Sequence, residues 1–166
     1  LFVGIKYGVD GTNVAMSIAV KTEDGRIFVE SIDCRPIRAG NAWIIEFLKA
    51  APGIGGVAVD GANGQKLLEE DMKEAGLKVP VLPTVKQIIV ANAAFELGLE
   101  KTICHMGQPS LSQAATNCEK RAIGTNGGFG YRAQKEGIEI ALLDSVILAY
   151  WMCRESKEKK KQRISY

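Results

Sequence analysis

The sequence lacks the features of a membrane protein and of a zinc finger, and its net charge is low. No apolar run is long enough to span a bilayer, and Leu1 opens directly into a strand pattern without a signal-peptide layout. The four cysteines form no CxxC pair, so we predict free thiols in a reducing cytosol rather than a zinc site. The net charge of +2 is too small by itself to indicate a nucleic-acid-binding protein.

The chain also lacks a GxxxxGK[ST] nucleotide loop, because the glycine-rich stretch 124–130 has neither the lysine nor the hydroxyl residue at the required place. Its 166 residues, 46% hydrophobic and 24% charged, are typical of one globular domain spanning 1–166, with a basic tail at about 155–166. Because the chain does not begin with Met, we expect it to be one domain of a larger protein.

The order of predicted elements indicates a mixed α/β sheet. Asp-Gly turns separate strands at 1–7, 13–21 and 26–34, which predicts an antiparallel three-strand meander. The later elements are a helix at 41–51, strands at 57–60 and 78–83, helices at 65–75, 86–97 and 111–121, a loop or hairpin at 124–132, and a last helix at about 138–159. Capping-box patterns open the helices that follow residues 84–87 and 110–113. We therefore predict a ribonuclease H-like fold, with a mixed sheet of five or more strands flanked by helices, rather than a Rossmann fold.

Acids in this layout are candidate metal ligands. Asp60 ends an apolar strand and is followed by glycine-rich chain, where open α/β sheets bind ligands, although a simple turn is the alternative. Asp144 lies within an apolar helix, either as a ligand or as an edge residue of the amphipathic stripe. Glu139 is its rival, or else a favourable charge at the helix N-terminus. A ribonuclease H-like site uses such acids to hold two Mg²⁺ or Mn²⁺ ions.

Five segments resemble the C-terminal nuclease domain of phage terminase large subunits, and the resemblance spans nearly the whole chain. They are VGIKYGVDGTNVAMSIAV (3–20), VAVDGANG (57–64), ICHMGQPSLSQAATN (103–117), GGFGYR (127–132) and LLDSVILAYW (142–151). The resemblance implies a metal-dependent endonuclease that cuts concatemeric viral DNA into genome lengths in the host cytoplasm. It also implies a separate N-terminal ATPase domain, a small subunit and the portal protein as partners.

The sequence departs from the family pattern at Lys6, which stands where members carry the first catalytic aspartate. Asp10, four residues further on, either takes over the ligand role or is an ordinary hairpin-turn residue. Otherwise the first metal is weakly held, or Lys6 is a fixed positive charge and the domain cuts poorly. Strand alternation predicts that the Lys6 ammonium points toward Asp60 and Asp144.

Basic side chains are candidate DNA contacts, with Lys6, His105, Arg121 and Arg132 as the proposed set beside the tail. Phosphate contacts of this kind would make binding salt-dependent and indifferent to sequence. Solvated surface charge is the alternative for the arginines, and a structural polar role is the alternative for His105. Two other functions stay open: a DNA- or portal-binding module that does not cut, and another ribonuclease H-like nuclease such as a Holliday-junction resolvase.

Overall fold

The computed structural model describes residues 1–156, which form a mixed β-sheet covered by helices and a separate hairpin. The strands are β1 (Phe2–Tyr7), β2 (Asn13–Lys21), β3 (Ile27–Pro36), β4 (Gly56–Asp60), β5 (Ile103–Cys104), β6 (Cys118–Ile123) and β7 (Gly128–Ala133). The helices are α1 (Ala42–Ala50), α2 (Gln65–Glu74), α3 (Val85–Gly98), α4 (Pro109–Thr116) and α5 (Ile140–Glu155), and a short 3-10 helix spans Ile37–Ala39.

Five strands form the main sheet in the order β4-β1-β2-β3-β5. The pairs β1–β2 and β2–β3 are antiparallel, which confirms the predicted meander. The pairs β1–β4 and β3–β5 are parallel, and the β1–β4 pair needs a crossover connection, which contains α1. The topology is the predicted ribonuclease H-like α/β arrangement.

The sheet is buried on both faces, and each face has its own apolar layer. Val3, Ile5 and Tyr7 of β1 face one layer, where they pack with Ile44 of α1 and Leu68 of α2. The other layer lies beneath α3 and α5, whose buried side chains meet β2, β3 and β4. Because strand side chains alternate between faces, the residues between the apolar positions of β1 point toward α5.

Helix α5 lies very close to β1 because Gly4 has no side chain. A Cβ atom at Gly4 would lie 2.5 Å from the backbone nitrogen of Ala149 and would also collide with the carbonyl oxygen of Ser145. The Ser145 hydroxyl shares a 2.6 Å hydrogen bond with the hydroxyl of Ser17 in β2. These contacts fix α5 on the sheet and bring Asp144 to the face of β1 that carries Lys6.

One predicted strand is wrong, and one predicted helix has the wrong bounds. Within the described chain, residues 78–83 form no strand but a single bridge between Val81 and Ala58, since Pro80 and Pro83 have no N–H to donate. The helix predicted at 111–121 ends at Thr116, and the chain continues directly into β6. The second capping box does not form, because the helix already begins at Pro109, a residue favoured in the first turn.

Other predictions are confirmed. Thr84 and Gln87 exchange the two hydrogen bonds of a capping box at the start of α3. The glycine-rich stretch forms the turn and second strand of the β6–β7 hairpin. Helix α5 ends at Glu155, and the predicted continuation with the basic tail lies outside the described residues. Among the helices of residues 1–156, none combines the length and apolarity that a bilayer crossing requires.

Candidate active site

The register of β1 and β4 places Lys6 directly opposite Asp60. The Lys6 ammonium donates a hydrogen bond to the Asp60 carboxylate and forms an ion pair with it. The side chains are only 12% and 22% exposed, so solvent screens this pair less than a surface ion pair. The predicted orientation of Lys6 toward Asp60 is therefore confirmed.

Asp144 reaches the same place from α5. It lines a cavity together with Lys6, Asp60 and Arg121. Burial raises the pKa of Asp144 to about 6, while the positive charges of Lys6 and Arg121 oppose the shift and the negative charges of Asp60 and, more weakly, Glu139 add to it. Two acids and two cations thus share one small space beside the sheet.

The cavity is small, with a volume of about 30 Å³. It has room for about two water molecules. Asn92 of α3 and Tyr131 of β7 contribute to its wall, so α3 and the β6–β7 hairpin lie over the acids. The Tyr131 hydroxyl donates to the Glu96 carboxylate, and Lys120 pairs with the same carboxylate at 3.0 Å. These two bonds hold the hairpin that carries Arg121 against α3.

Glu139 and Asp10 serve local structure outside the cavity lining. Glu139 caps α5, since its carboxylate accepts from the Ala141 backbone N–H, and it also accepts from the Asn13 side chain at 2.6 Å. Asp10 is exposed in the β1–β2 turn and accepts from the backbone N–H and hydroxyl of Thr12 at 3.0 and 2.8 Å. These hydrogen bonds lower the pKa of Asp10. The structure thus does not bring Asp10 to the other two acids.

His105 and Arg132 lie away from the acid cavity. His105 lines a separate, largely apolar cavity of about 530 Å³ between α3, α4 and the hairpin, and its Nδ1 accepts from the Gly107 backbone N–H at 3.0 Å. Arg132 forms an exposed ion pair with Glu119 of the neighbouring strand at 2.6 Å. Of the four predicted DNA contacts, Lys6 and Arg121 are the two that stand beside the acids.

The donor set fits one hard divalent cation better than two. Among the side chains of residues 1–156, no group of three or more His, Cys, Asp and Glu is placed to hold one metal ion. Asp60 and Asp144 supply two carboxylates. Proteins often bind Mg²⁺ through one or two carboxylates, with water and phosphate as its other ligands. Among residues 1–156, Asp60 and Asp144 are the two carboxylates that line the cavity, and Lys6 stands where the family resemblance places the first acid.

The residues that enclose the site were not predicted from the sequence. Tyr131 of the hairpin bonds Glu96 of α3, and Asn92 of α3 lines the cavity, and both placements depend on tertiary packing rather than on a local pattern. Asn63 was missed as well: its side-chain amide donates to the Gly8 carbonyl at 2.9 Å and ties the β4–α2 loop to the end of β1. The glycine-aromatic stretch that contains Tyr131 was the one available signal.

Two solved structures share this fold. The crystal structure of the HK97 bacteriophage large terminase matches 90% of this chain with a TM-score of 0.70 and 14% identity, and this chain covers 38% of it. The large terminase nuclease from thermophilic phage G20c matches 89% of this chain with a TM-score of 0.60 and 17% identity, and 79% of that chain is covered. No protein-family model and no curated protein matches the sequence. The predicted terminase nuclease-like fold is thereby confirmed.

Proposed function

We propose that this chain is the nuclease domain of a phage terminase large subunit and cuts double-stranded viral DNA during genome packaging. The observation that carries the proposal is the convergence of Asp60 and Asp144 on one cavity, at the end of β4 and on α5 of a terminase nuclease-like fold. We further propose that the domain works with an ATPase domain, a small subunit and the portal protein, and that it does so in the host cytoplasm.

Asp60 and Asp144 would hold Mg²⁺ or Mn²⁺ through their carboxylate oxygens. Such an ion activates water and stabilises the charge that develops on a phosphodiester during hydrolysis. Lys6 and Arg121 stand beside these acids and would bind the non-bridging oxygens of the phosphate. Tyr131 and Asn92 line the same space and limit how much water enters it.

DNA binding in this proposal depends on the phosphate backbone. Arg132 follows Tyr131 in β7, and His105 lines the separate cavity that Tyr131 also borders, so both lie outside the acid cavity and would extend the contact from Lys6 and Arg121 along the duplex. Contacts of this kind carry no sequence information, so binding should weaken steeply as salt concentration rises.

Plasmid nicking tests the proposal. The domain should nick supercoiled DNA when Mn²⁺ is added. Asp60→Asn or Asp144→Asn should each lower the rate by about a hundredfold or more, because loss of even a hydrogen-bond partner of a metal ligand costs about ten- to a hundredfold. Asp33→Asn is the matched control, since Asp33 is an exposed acid paired with Arg35 and should keep the parent rate. Nicking by Asp60→Asn and Asp144→Asn at the same rate as the parent and Asp33→Asn would contradict the assignment of the site.

A second candidate function is a DNA- or portal-binding module that does not cut. The Lys6–Asp60 ion pair favours it, because the ammonium occupies the carboxylate that an ion would need. Intact DNA after prolonged incubation with Mn²⁺ at high protein concentration, together with retained duplex binding, would support this candidate over the nuclease.

A Holliday-junction resolvase is the alternative within the nucleases. A terminase nuclease should cut linear and branched DNA at similar rates, whereas a resolvase should cut four-way junctions selectively. Denaturing gels of both substrates, end-labelled and mixed in one reaction, distinguish the two enzymes.

A further inference from the structure

The four charged side chains that line the acid cavity balance one another before any ion enters it. Asp60 and Asp144 bring two negative charges, and Lys6 and Arg121 bring two positive ones. Lys6 is bonded directly to Asp60, so an ion that binds this carboxylate has to displace the ammonium or share the oxygens with it. A divalent ion would therefore leave the four groups with a net positive charge.

We infer that a divalent cation binds at Asp60 and Asp144 only together with a DNA phosphate, and that Lys6 enforces this coupling. The inference rests on the proposed function, because it concerns the same two acids. In the free domain, Lys6 occupies Asp60 and repels the cation. When a duplex is bound, its phosphate supplies the missing negative charge and offers the ammonium a new partner.

The side chain of Lys6 is suited to this exchange. Its ammonium is a compact charge with three donors on a flexible four-carbon stem, so it can turn from a carboxylate to a phosphate while its backbone stays in β1. Arg121 comes from the hairpin and lines the same cavity, where it would contact the same phosphate. The coupling is reciprocal, so Mn²⁺ must strengthen duplex binding by the same factor by which the duplex strengthens Mn²⁺ binding.

Mn²⁺ binding tests the inference without any need for cleavage. Electron paramagnetic resonance measures free Mn²⁺ in titrations of the domain alone, of a 20-base-pair duplex alone and of the two together. We expect the duplex to tighten binding of one Mn²⁺ per domain at least about tenfold after the DNA-alone signal is subtracted. Asp144→Asn with duplex identifies Mn²⁺ that is bound elsewhere.

Substitutions of Lys6 make the test specific. Lys6→Ala should bind Mn²⁺ without DNA and lose most of the enhancement, and Lys6→Met should do the same while keeping the apolar stem if the alanine variant folds poorly. Lys66→Ala is the matched control, because Lys66 is an exposed lysine of α2 paired with Glu69. Circular dichroism confirms that each variant is folded.

The Mn²⁺-binding experiment and the nicking experiment can fail independently of each other. Equal Mn²⁺ affinity with and without duplex would overturn the inference, as would no binding in either case or Lys6 variants that behave like the parent. Coupled Mn²⁺ binding without nicking would uphold the inference and contradict the nuclease proposal.

Discussion

Asp144 is an ionisable side chain whose burial disfavours its charged form. Its pKa is raised from 3.8 to about 6, mainly by burial and in spite of the two cations beside it. The native state therefore holds the proton more tightly than the unfolded chain, so the free energy of unfolding falls as pH rises from about 4 to about 6. Above pH 6 the native state bears the full cost of ionising Asp144 in a buried place. This cost lowers the free energy of unfolding by about 3 kcal/mol.

Asp144→Asn should remove this cost because the amide stays neutral. We expect the variant to be more stable than the parent by about 1–3 kcal/mol at pH 8, and the difference should shrink toward zero near pH 4. Urea denaturation at several pH values measures it. Asp33→Asn, at an exposed ion pair, should keep the pH dependence of the parent. Parallel curves for Asp144→Asn and the parent would mean that Asp144 titrates normally.

Lys6→Asp should convert the ion pair into a third acid. Three carboxylates close together repel one another, so we expect the variant to be less stable than the parent without metal and to bind Mn²⁺ more tightly. Saturation with Mn²⁺ at 100 times its dissociation constant should restore about 2.7 kcal/mol, and nicking should rise. Calorimetry and thermal melts with and without Mn²⁺ measure these effects. Mn²⁺ affinity equal to that of the parent would remove Lys6 from the proposed metal site.

At the scale of elements, the contact between β1 and α5 decides where Asp144 lies. Gly4→Ala would insert a Cβ against the backbone of α5, and we expect a loss of about 1–3 kcal/mol or more because the helix has to move. Gly130→Ala is the matched control, since its Cβ would meet Ile123 at an ordinary 3.5 Å. Urea midpoints compare the two variants. A Gly4→Ala variant as stable as Gly130→Ala would show that the close approach is not required.

The elements that sequence predicted well have strong local signals. The meander follows from its Asp-Gly turns, and α3 follows from the Thr84 capping box. Strand β6 gave no such signal, because its sequence CEKRAI is mostly exposed and charged and continues the polar end of α4. Residues 78–83 looked like a strand from their apolar residues, but their prolines limit pairing to one bridge.

The candidate site likewise combines contacts that a local sequence pattern predicts with contacts that it does not. Lys6 and Asp60 lie on neighbouring parallel strands, and strand alternation together with the family position of Lys6 was enough to predict that they face each other. The place of Arg121 depends on how the hairpin folds back over α5, which no local pattern contains. Asp10 and Glu139 are acids near the expected positions, and their local turn and capping bonds distinguish them from the cavity pair.

At the scale of the whole molecule, β1 joins the two apolar layers, because its side chains face one layer and its glycine lets α5 cover the other. We therefore expect the layers to unfold together. Trp43 packs against one layer and Trp151 is buried in the other, so Trp151→Phe and Trp43→Phe give a fluorescence probe for each. In each variant the fluorescence midpoint in urea should equal the far-ultraviolet circular dichroism midpoint. Separate midpoints would show that the layers unfold independently.

The single bridge at Val81 also bears on how the sheet meets other molecules. Val81 accepts from the Val59 N–H at 2.9 Å and donates to the Val57 carbonyl at 2.8 Å, so it covers the outer side of β4. Beyond it, Pro80 and Pro83 offer no N–H groups to an incoming strand. The chain itself therefore covers the outer side of β4 at Val57 and Val59, where a strand of another molecule would otherwise pair. The prolines that prevented a sixth strand in the main sheet thus also limit edge-to-edge pairing at β4.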